Sequence, residues 1–226
     1  MAERKSESTR ILVADDQLLY REGLVGLMSH WPEFEVVGDV PNGAEAVEFC
    51  RHHDVDLVLM DVQMPLMDGI EATATIHAFN PRIIVVMLTV SNDEETLFDS
   101  IAAGAVGYVL KDMASRQLRS CLQSATCGDM ILSGAMAEKL ARKMGSLDQR
   151  PRCAFSPYGK PAPELNEREI ELLRLVAQGL SNDEIASCMY ISFGTVKKNL
   201  QTLMQKLDMP NRVLLAGYAI RAGFAD

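Results

Sequence analysis

Five side chains have types that could work on one reaction: the paired carboxylates Asp15 and Asp16, a third carboxylate at Asp61, the hydroxyl of Thr89 and the amine of Lys111. Each stands at the end of a short apolar run: Ile11–Ala14, Leu57–Met60, Ile83–Leu88 or Gly107–Leu110. Three carboxylates brought together repel unless a cation joins them, and hard oxygen donors with room for water suit Mg2+. A lysine and a hydroxyl opposite them suit the oxygens of a transferred phosphoryl group. The implied chemistry is attack by a carboxylate on phosphorus, giving an aspartyl phosphate while metal and lysine neutralise charge. A lone Asp beside a strand is commonly a turn or cap residue. Asp68-Gly69 reads that way, and Asp54 and Asp56 precede their strand, so they belong to the opposite edge. The five are set apart because four separate strands deliver them.

The elements that must deliver them are legible from periodicity. The four runs and Phe34–Val40 are short enough for strands, and three of the five are rich in Val and Ile. Between them Leu18–Met28, Ala44–Cys50, Ile70–Phe79, Glu94–Ala103 and Ser115–Thr126 carry apolar residues at helical spacing. Five strands alternating with five helices predict an α/β fold, a doubly wound five-stranded parallel sheet covered on both faces. Sites in such sheets lie outside the carboxyl ends of the strands.

The 226 residues leave one or two domains open on length, and the charge settles the matter. Of the net −9, residues 1–140 carry −12 (10 basic, 22 acidic), residues 141–160 carry +4, and residues 161–226 carry −1. Such asymmetry points to separate functions. Four of the nine prolines (Pro151, Pro157, Pro161, Pro163) fall close together, in a stretch that excludes a helix interior or central strand and reads as a linker. The expected division is a first domain over residues 8–130, a linker over 131–163 with a helix at Ala135–Met144, and a smaller all-α domain over 164–226. No run of about eighteen apolar residues exists to span a membrane, and the start MAERKSESTR does not resemble a secretory signal. Five cysteines at no metal-ligand spacing read as thiols in a reducing cytoplasm, so a cytoplasmic protein with no membrane contact is expected.

The last 63 residues read as four short helices. Asn166 to Glu169 and Ser181 to Glu184 have the form of capping boxes. Gly179 stops the first helix, Ile191-Ser192 makes a turn, Thr195 opens a third helix running to Leu207, and Arg212–Ala222 forms the last. Two short helices joined by a tight turn, the second bearing Lys197 and Lys198, suggest helix-turn-helix binding of DNA. From Ser192 to Leu207 there are three lysines and no acid. On charge alone a small bundle with a solvated lysine face is the stronger reading.

Longer motifs reverse that preference. LVADDQ, LVLMDVQMPLMDG, VVMLTV and GAVGYVLKD resemble the receiver domain of bacterial response regulators. LNEREIELLRLVAQGLSNDEIA, ISFGTVKKNLQTLMQKL and NRVLLAGYA are similar to the LuxR-type helix-turn-helix. The combination resembles the NarL/FixJ class of two-component response regulators. The resemblance implies a flavodoxin-like receiver in which Asp61 accepts a phosphoryl group from a histidine kinase. Asp16 and Asp15 then bind Mg2+, joined by Asp61 and the backbone carbonyl of Gln63. Lys111 contacts the phosphoryl group, Thr89 rotates towards it, and Tyr108 is the aromatic that turns inward when Thr89 moves. In the second domain it implies a recognition helix starting near Thr195 in the major groove of double-stranded DNA. Lys197, Lys198 and Gln201 face bases or phosphates, with Thr195 and Asn182 on the backbone. Val196, Leu200, Leu203 and Leu207 have core spacing. The final helix is the expected homodimer contact, through Val213, Leu214 and Gly217.

Some residues depart from the family pattern. Gln17 replaces a frequent histidine, Val90 a smaller residue after the switch threonine, Asn166 a threonine and Asn199 a histidine, while Gly194 weakens the first turn of the recognition helix or leads into it. Val90 predicts altered phosphorylation or dephosphorylation kinetics. A Mg2+-dependent phosphatase would need a second carboxylate two residues beyond the nucleophile, where Gln63 stands. A receiver acting only as a protein adaptor would not need the full acidic set. The expectation is a transcription regulator controlled by phosphorylation of Asp61, not a dedicated enzyme.

Overall fold

The computed structural model describes residues 8–90, 93–131, 165–207 and 209–224. The expected helix at Ala135–Met144 and the proline-rich stretch lie outside these residues. The chain divides into two compact units, Met1–Thr126 and Cys127–Asp226.

In the first unit β1 (Thr9–Ala14), α1 (Leu18–Met28), β2 (Phe34–Val40), α2 (Gly43–His52), β3 (Leu57–Asp61), α3 (Gly69–Phe79), β4 (Ile84–Thr89), α4 (Glu94–Ala102), β5 (Gly107–Leu110) and α5 (Ser115–Cys127) alternate. The strands form one parallel sheet in the order β2-β1-β3-β4-β5. Helical crossovers cover both faces of a parallel sheet, so its inner strands read as continuous apolar runs rather than alternating ones. Every residue of β3 is buried, and so are Ile11–Ala14 of β1 and Val85–Thr89 of β4. Short polar side chains start the helices by accepting orphan backbone amides: Asn42 from Glu45, Asp68 from Glu71 and Asp93 from Thr96. Asp68 is thus a cap, as its place before Gly69 predicts.

Asp61 and Thr89 lie one residue inside the strands rather than beyond them, because the ladder continues until Asp61 pairs with Leu88 and Thr89 with Leu110. Asp54 and Asp56 lie at the far edge, where Arg10 reaches both carboxylates at 2.9–3.0 Å.

The second unit holds α6 (Glu167–Ala177), α7 (Asn182–Met189), α8 (Phe193–Leu207) and α9 (Arg212–Arg221). Both expected capping boxes form, Asn166 with Glu169 and Ser181 with Glu184. Val196, Leu200, Leu203 and Leu207 recur at helical spacing and turn one face of α8 onto Leu172, Leu173 and Val176 of α6, Ile185 of α7 and Leu215 of α9. α8 begins at Phe193, two residues before the expected Thr195. The Ser192 hydroxyl accepts from the Thr195 amide, which makes Ser192 the cap and puts Gly194 inside the first turn.

Candidate functional site

The carboxyl edge of the sheet collects the charged residues. β1 pairs with β3 through Ala14 and Met60, so Asp15 continues beside Asp61. Asp15 is fully buried and Asp61 is 5 % exposed, while Asp16 faces solvent. Carboxylate oxygens of the three lie within 4.8 Å of one another. Lys111 enters from the end of β5 with its ammonium 2.7 Å from Asp15 Oδ2 and 2.8 Å from Asp61 Oδ2. The Thr89 carbonyl accepts from the Lys111 amide and fixes where that side chain leaves the backbone.

The charges are coupled through burial. Desolvation raises the pKa of Asp61, with Asp15 and Asp16 acting in the same direction against the Lys111 hydrogen bond. Desolvation also works against the Lys111 ammonium, yet its closeness to the Asp15 and Asp61 carboxylates prevails and its pKa is raised. One lysine therefore stands against three carboxylates. Asp15 Oδ1 accepts from the Gln17 amide, whereas Oδ2, although close to Lys111, has no aligned hydrogen-bond donor. A buried, under-satisfied carboxylate oxygen beside two further carboxylates is the donor set a hard divalent cation needs, so the residues present fit Mg2+.

Two more groups complete the edge. Thr89 is 5 % exposed and lies on β4, beside β3. Tyr108 is 1 % exposed and lies on β5, the strand paired with β4. The two expected switch residues thus stand on neighbouring strands, with the ring inside the fold. Gln63 is exposed in the loop after β3, which closes through Gly69 N to the Val62 carbonyl. Gly69 is required there because a Cβ would collide with the Asp61 carbonyl. Val90, one residue past Thr89, is 74 % exposed.

In the second unit the outward face of α8 carries Lys198 and Gln201, flanked by Lys197; both lysines are exposed and Gln201 is half-buried. Thr195 is also exposed, with its hydroxyl 2.8 Å from that of Ser192. Asn182 is the first residue of α7. Its side chain is buried and accepts from Arg212 Nη1 at 2.7 Å, so it serves the packing of α7 on α9 rather than facing outward. The third lysine of the helix, Lys206, lies 2.8 Å from Glu169 of α6. On α9, Val213 and Leu214 are half-buried, Leu214 leans on the core, and Gly217 is buried.

Residues 11–123 match the family described as response regulator receiver domain, and residues 163–219 match the luxR family of bacterial regulatory proteins. The transcriptional regulatory protein LnrK of Bacillus subtilis (strain 168) is 34 % identical over 216 residues, spanning 95 % of this chain and 97 % of its own. The nitrate/nitrite response regulator protein NarL of Escherichia coli (strain K12) is 34 % identical over 207 residues, 92 % of this chain and 93 % of its own. The chain belongs to the NarL family of response regulators. A LuxR-family two-component response regulator from Aurantimonas sp. SI85-9A1 has a solved structure with TM-score 0.57 and 28 % identity, covering 61 % of this chain and 98 % of that one.

It is therefore a two-component response regulator and a transcription regulator with a LuxR-type DNA-binding domain. Two residues of this regulator's pocket escape a reading of the sequence. The Tyr20 ring lies 4.9 Å from the Lys111 ammonium, and its hydroxyl donates to the Lys111 carbonyl at 3.3 Å. Arg21 donates from Nη1 to the Asp15 carbonyl at 2.6 Å. Both sit in an amphipathic helix whose period marks them only as inward-facing.

Proposed function

We propose that Asp61 is the phosphoacceptor of a Mg2+-dependent receiver over residues 8–130, which controls DNA binding by residues 164–226 across the linker 131–163. The observation that carries this is one buried carboxylate, Asp61, 2.8 Å from a buried lysine and within 4.8 Å of two further acids at the carboxyl edge of a parallel sheet. A phosphohistidine on a histidine kinase is the donor: an Asp61 oxygen attacks phosphorus, the P–N bond breaks, and the imidazole leaves with that electron pair. Asp15, Asp16, Asp61 and the Gln63 carbonyl would hold Mg2+, which when bound supplies positive charge to the phosphoryl oxygens. Lys111 gives up its bond to Asp61 and holds a phosphoryl oxygen instead. The Thr89 hydroxyl is the second donor to that group, and Tyr108 on the neighbouring strand β5 follows its movement and reports the change to the surface. The regulator is accordingly not a dedicated enzyme.

On DNA, Lys198, Lys197 and Gln201 meet the major groove and its phosphates, with Thr195 at the helix start and Asn182 supporting from behind. Val213 of α9, with Leu214 and Gly217 beneath it, centres a homodimer contact. A DNA target puts the regulator in the cytoplasm with the chromosome. The exposed Val90 narrows access to Asp61 and slows phosphoryl exchange; equal rates in Val90→Ala would remove that part.

The test compares wild type with Asp61→Asn, each with radiolabelled acetyl phosphate and Mg2+, followed by selection from random-sequence DNA. Wild type takes up label, Asp61→Asn does not, and a consensus emerges that phosphorylated protein binds more tightly. Unlabelled wild type overturns the phosphoacceptor assignment, and failure to select a consensus overturns the DNA assignment.

A further inference from the structure

The acidic edge has a second buried cation beneath it, on the side away from Lys111. Arg21, in the first turn of α1, is 8 % exposed. Burying a guanidinium is costly unless its donors are used. Nε donates to Asp39 Oδ2 of β2 at 2.7 Å, and Nη1 donates to the backbone carbonyl of Asp15 at 2.6 Å. One side chain thus ties together α1, β2 and the end of β1.

The carbonyl it grips matters because of where it lies. It belongs to the peptide that joins Asp15 to Asp16, and a peptide is a rigid plane. Fixing that plane fixes the directions in which two adjacent carboxylates leave the backbone. Asp15 is steadied at two further points, by the Gln17 amide on Oδ1 and by the Lys111 ammonium near Oδ2. Lys111 also bonds to Asp61, so an arriving phosphoryl group draws it away. The Arg21 grip involves neither Asp61 nor Lys111 and persists through the exchange.

We propose that Arg21 is a positioning residue for the cation site: by holding the Asp15–Asp16 peptide it makes those carboxylates converge with Asp61, and Mg2+ binds more weakly without it. The proposal rests on the reading of this pocket as a Mg2+ site. Its sign distinguishes it from a role of charge alone. A nearby guanidinium repels a divalent cation, so if its charge dominated, removing it would tighten binding. Positioning demands the opposite.

Arg21→Lys and Arg21→Met separate the two. Lysine keeps the charge but is a point donor and cannot span Asp39 and the Asp15 carbonyl as a planar fork does. Methionine keeps the apolar stem and removes the charge. Mg2+ is titrated into full-length protein by calorimetry, with circular dichroism to confirm folding. Both variants bind Mg2+ about 10- to 100-fold more weakly, the usual loss for a residue that orients a metal ligand. Labelling by acetyl phosphate recovers at high Mg2+, so the Mg2+ requirement rises while the saturated rate is kept. Asp39→Asn, which spares the Nη1 bond, gives a smaller loss. If wild type binds Mg2+ and the folded variants bind it equally well or better, Arg21 does not position the site and the pocket assignment stands. If wild type binds no Mg2+, the pocket assignment falls and this inference with it. Should Arg21→Met fail to fold, Arg21→Lys decides by the same readout.

Discussion

The sheet edge and the outer face of α8 are both charged, but their charges are held in opposite ways. At the sheet edge Asp15 and Asp61 are buried against a single lysine, with Asp16 at the mouth. On α8, Lys198 stands in solvent. A charge in low dielectric acts on its neighbours before any partner arrives, and it carries an energetic cost that the fold must offset. A charge in water is screened within about 8–10 Å and acts when a phosphate backbone comes close and counterions are released. The pocket should therefore announce itself in stability and metal binding, and the helix only in DNA binding and its salt dependence.

Lys111→Met is the strongest way to break that contrast. It leaves two buried carboxylates without their cation, and losing one partner of a buried pair costs about 3–5 kcal/mol. Urea denaturation should show the loss, and Mg2+ should restore much of it. An unmoved midpoint would mean that the pocket is not an electrostatic unit. Metal addition comes next: Mg2+ at 100 times its dissociation constant should stabilise wild type by about 2.7 kcal/mol. Asp61→Asn removes an acid whose pKa is raised in the fold, chiefly by burial. The ionised group costs stability above its folded pKa, and that cost vanishes as pH falls to the ordinary carboxylate range. The variant is thus more stable than metal-free wild type at pH 7, less so in acid, and gains less from Mg2+. Thermal unfolding across pH checks this.

On the helix, Lys198→Ala should leave the urea midpoint within about 0.5 kcal/mol of wild type. If it meets a phosphate, the slope of log affinity against log salt falls by about 0.9. An unchanged slope would take Lys198 off the phosphate backbone and sharpen its role towards bases.

How far each region can be read from sequence follows the same division. Asp15, Asp61, Thr89 and Lys111 are legible because a buried parallel sheet makes each apolar run end at one edge, and topology does the rest. The residues that hold them are not legible. Arg21 meets Asp39 eighteen positions on, and Tyr20 meets the carbonyl of Lys111 ninety-one positions on, both from within an ordinary amphipathic helix. The burial of Asn182 escapes the sequence for the same reason. It stands at a helix start, where a polar side chain suggests phosphate, while its partner Arg212 is thirty positions away. The start of α8 is placed two residues late because Ser192 serves equally as turn and cap until the Thr195 amide is seen bonding to it. Strand-end chemistry is thus encoded by local pattern, whereas the supporting contacts depend on long-range pairing that one sequence leaves open.

Lys206 is where the contrast is finest. In sequence it is the third lysine of an acid-free stretch, equivalent to Lys197 and Lys198. In the fold its ammonium lies 2.8 Å from Glu169, whose carboxylate also accepts from the Asn166 amide and whose pKa is lowered first of all by Lys206. The pair contributes stability above the ordinary glutamate pKa and loses it as pH falls through the lowered one. Both side chains keep some contact with water, so the contribution is about 0.5 kcal/mol or less. Lys206→Met should therefore cost that small amount at pH 7, and nothing once Glu169 is protonated. Its DNA salt slope should match wild type, because a lysine already neutralised by a carboxylate releases no counterion from DNA on its own account. A fall in slope equal to that of Lys198→Ala would show that the pair opens on DNA. The line between charges the fold has used and charges it leaves for DNA would then run inside α8 only while DNA is absent.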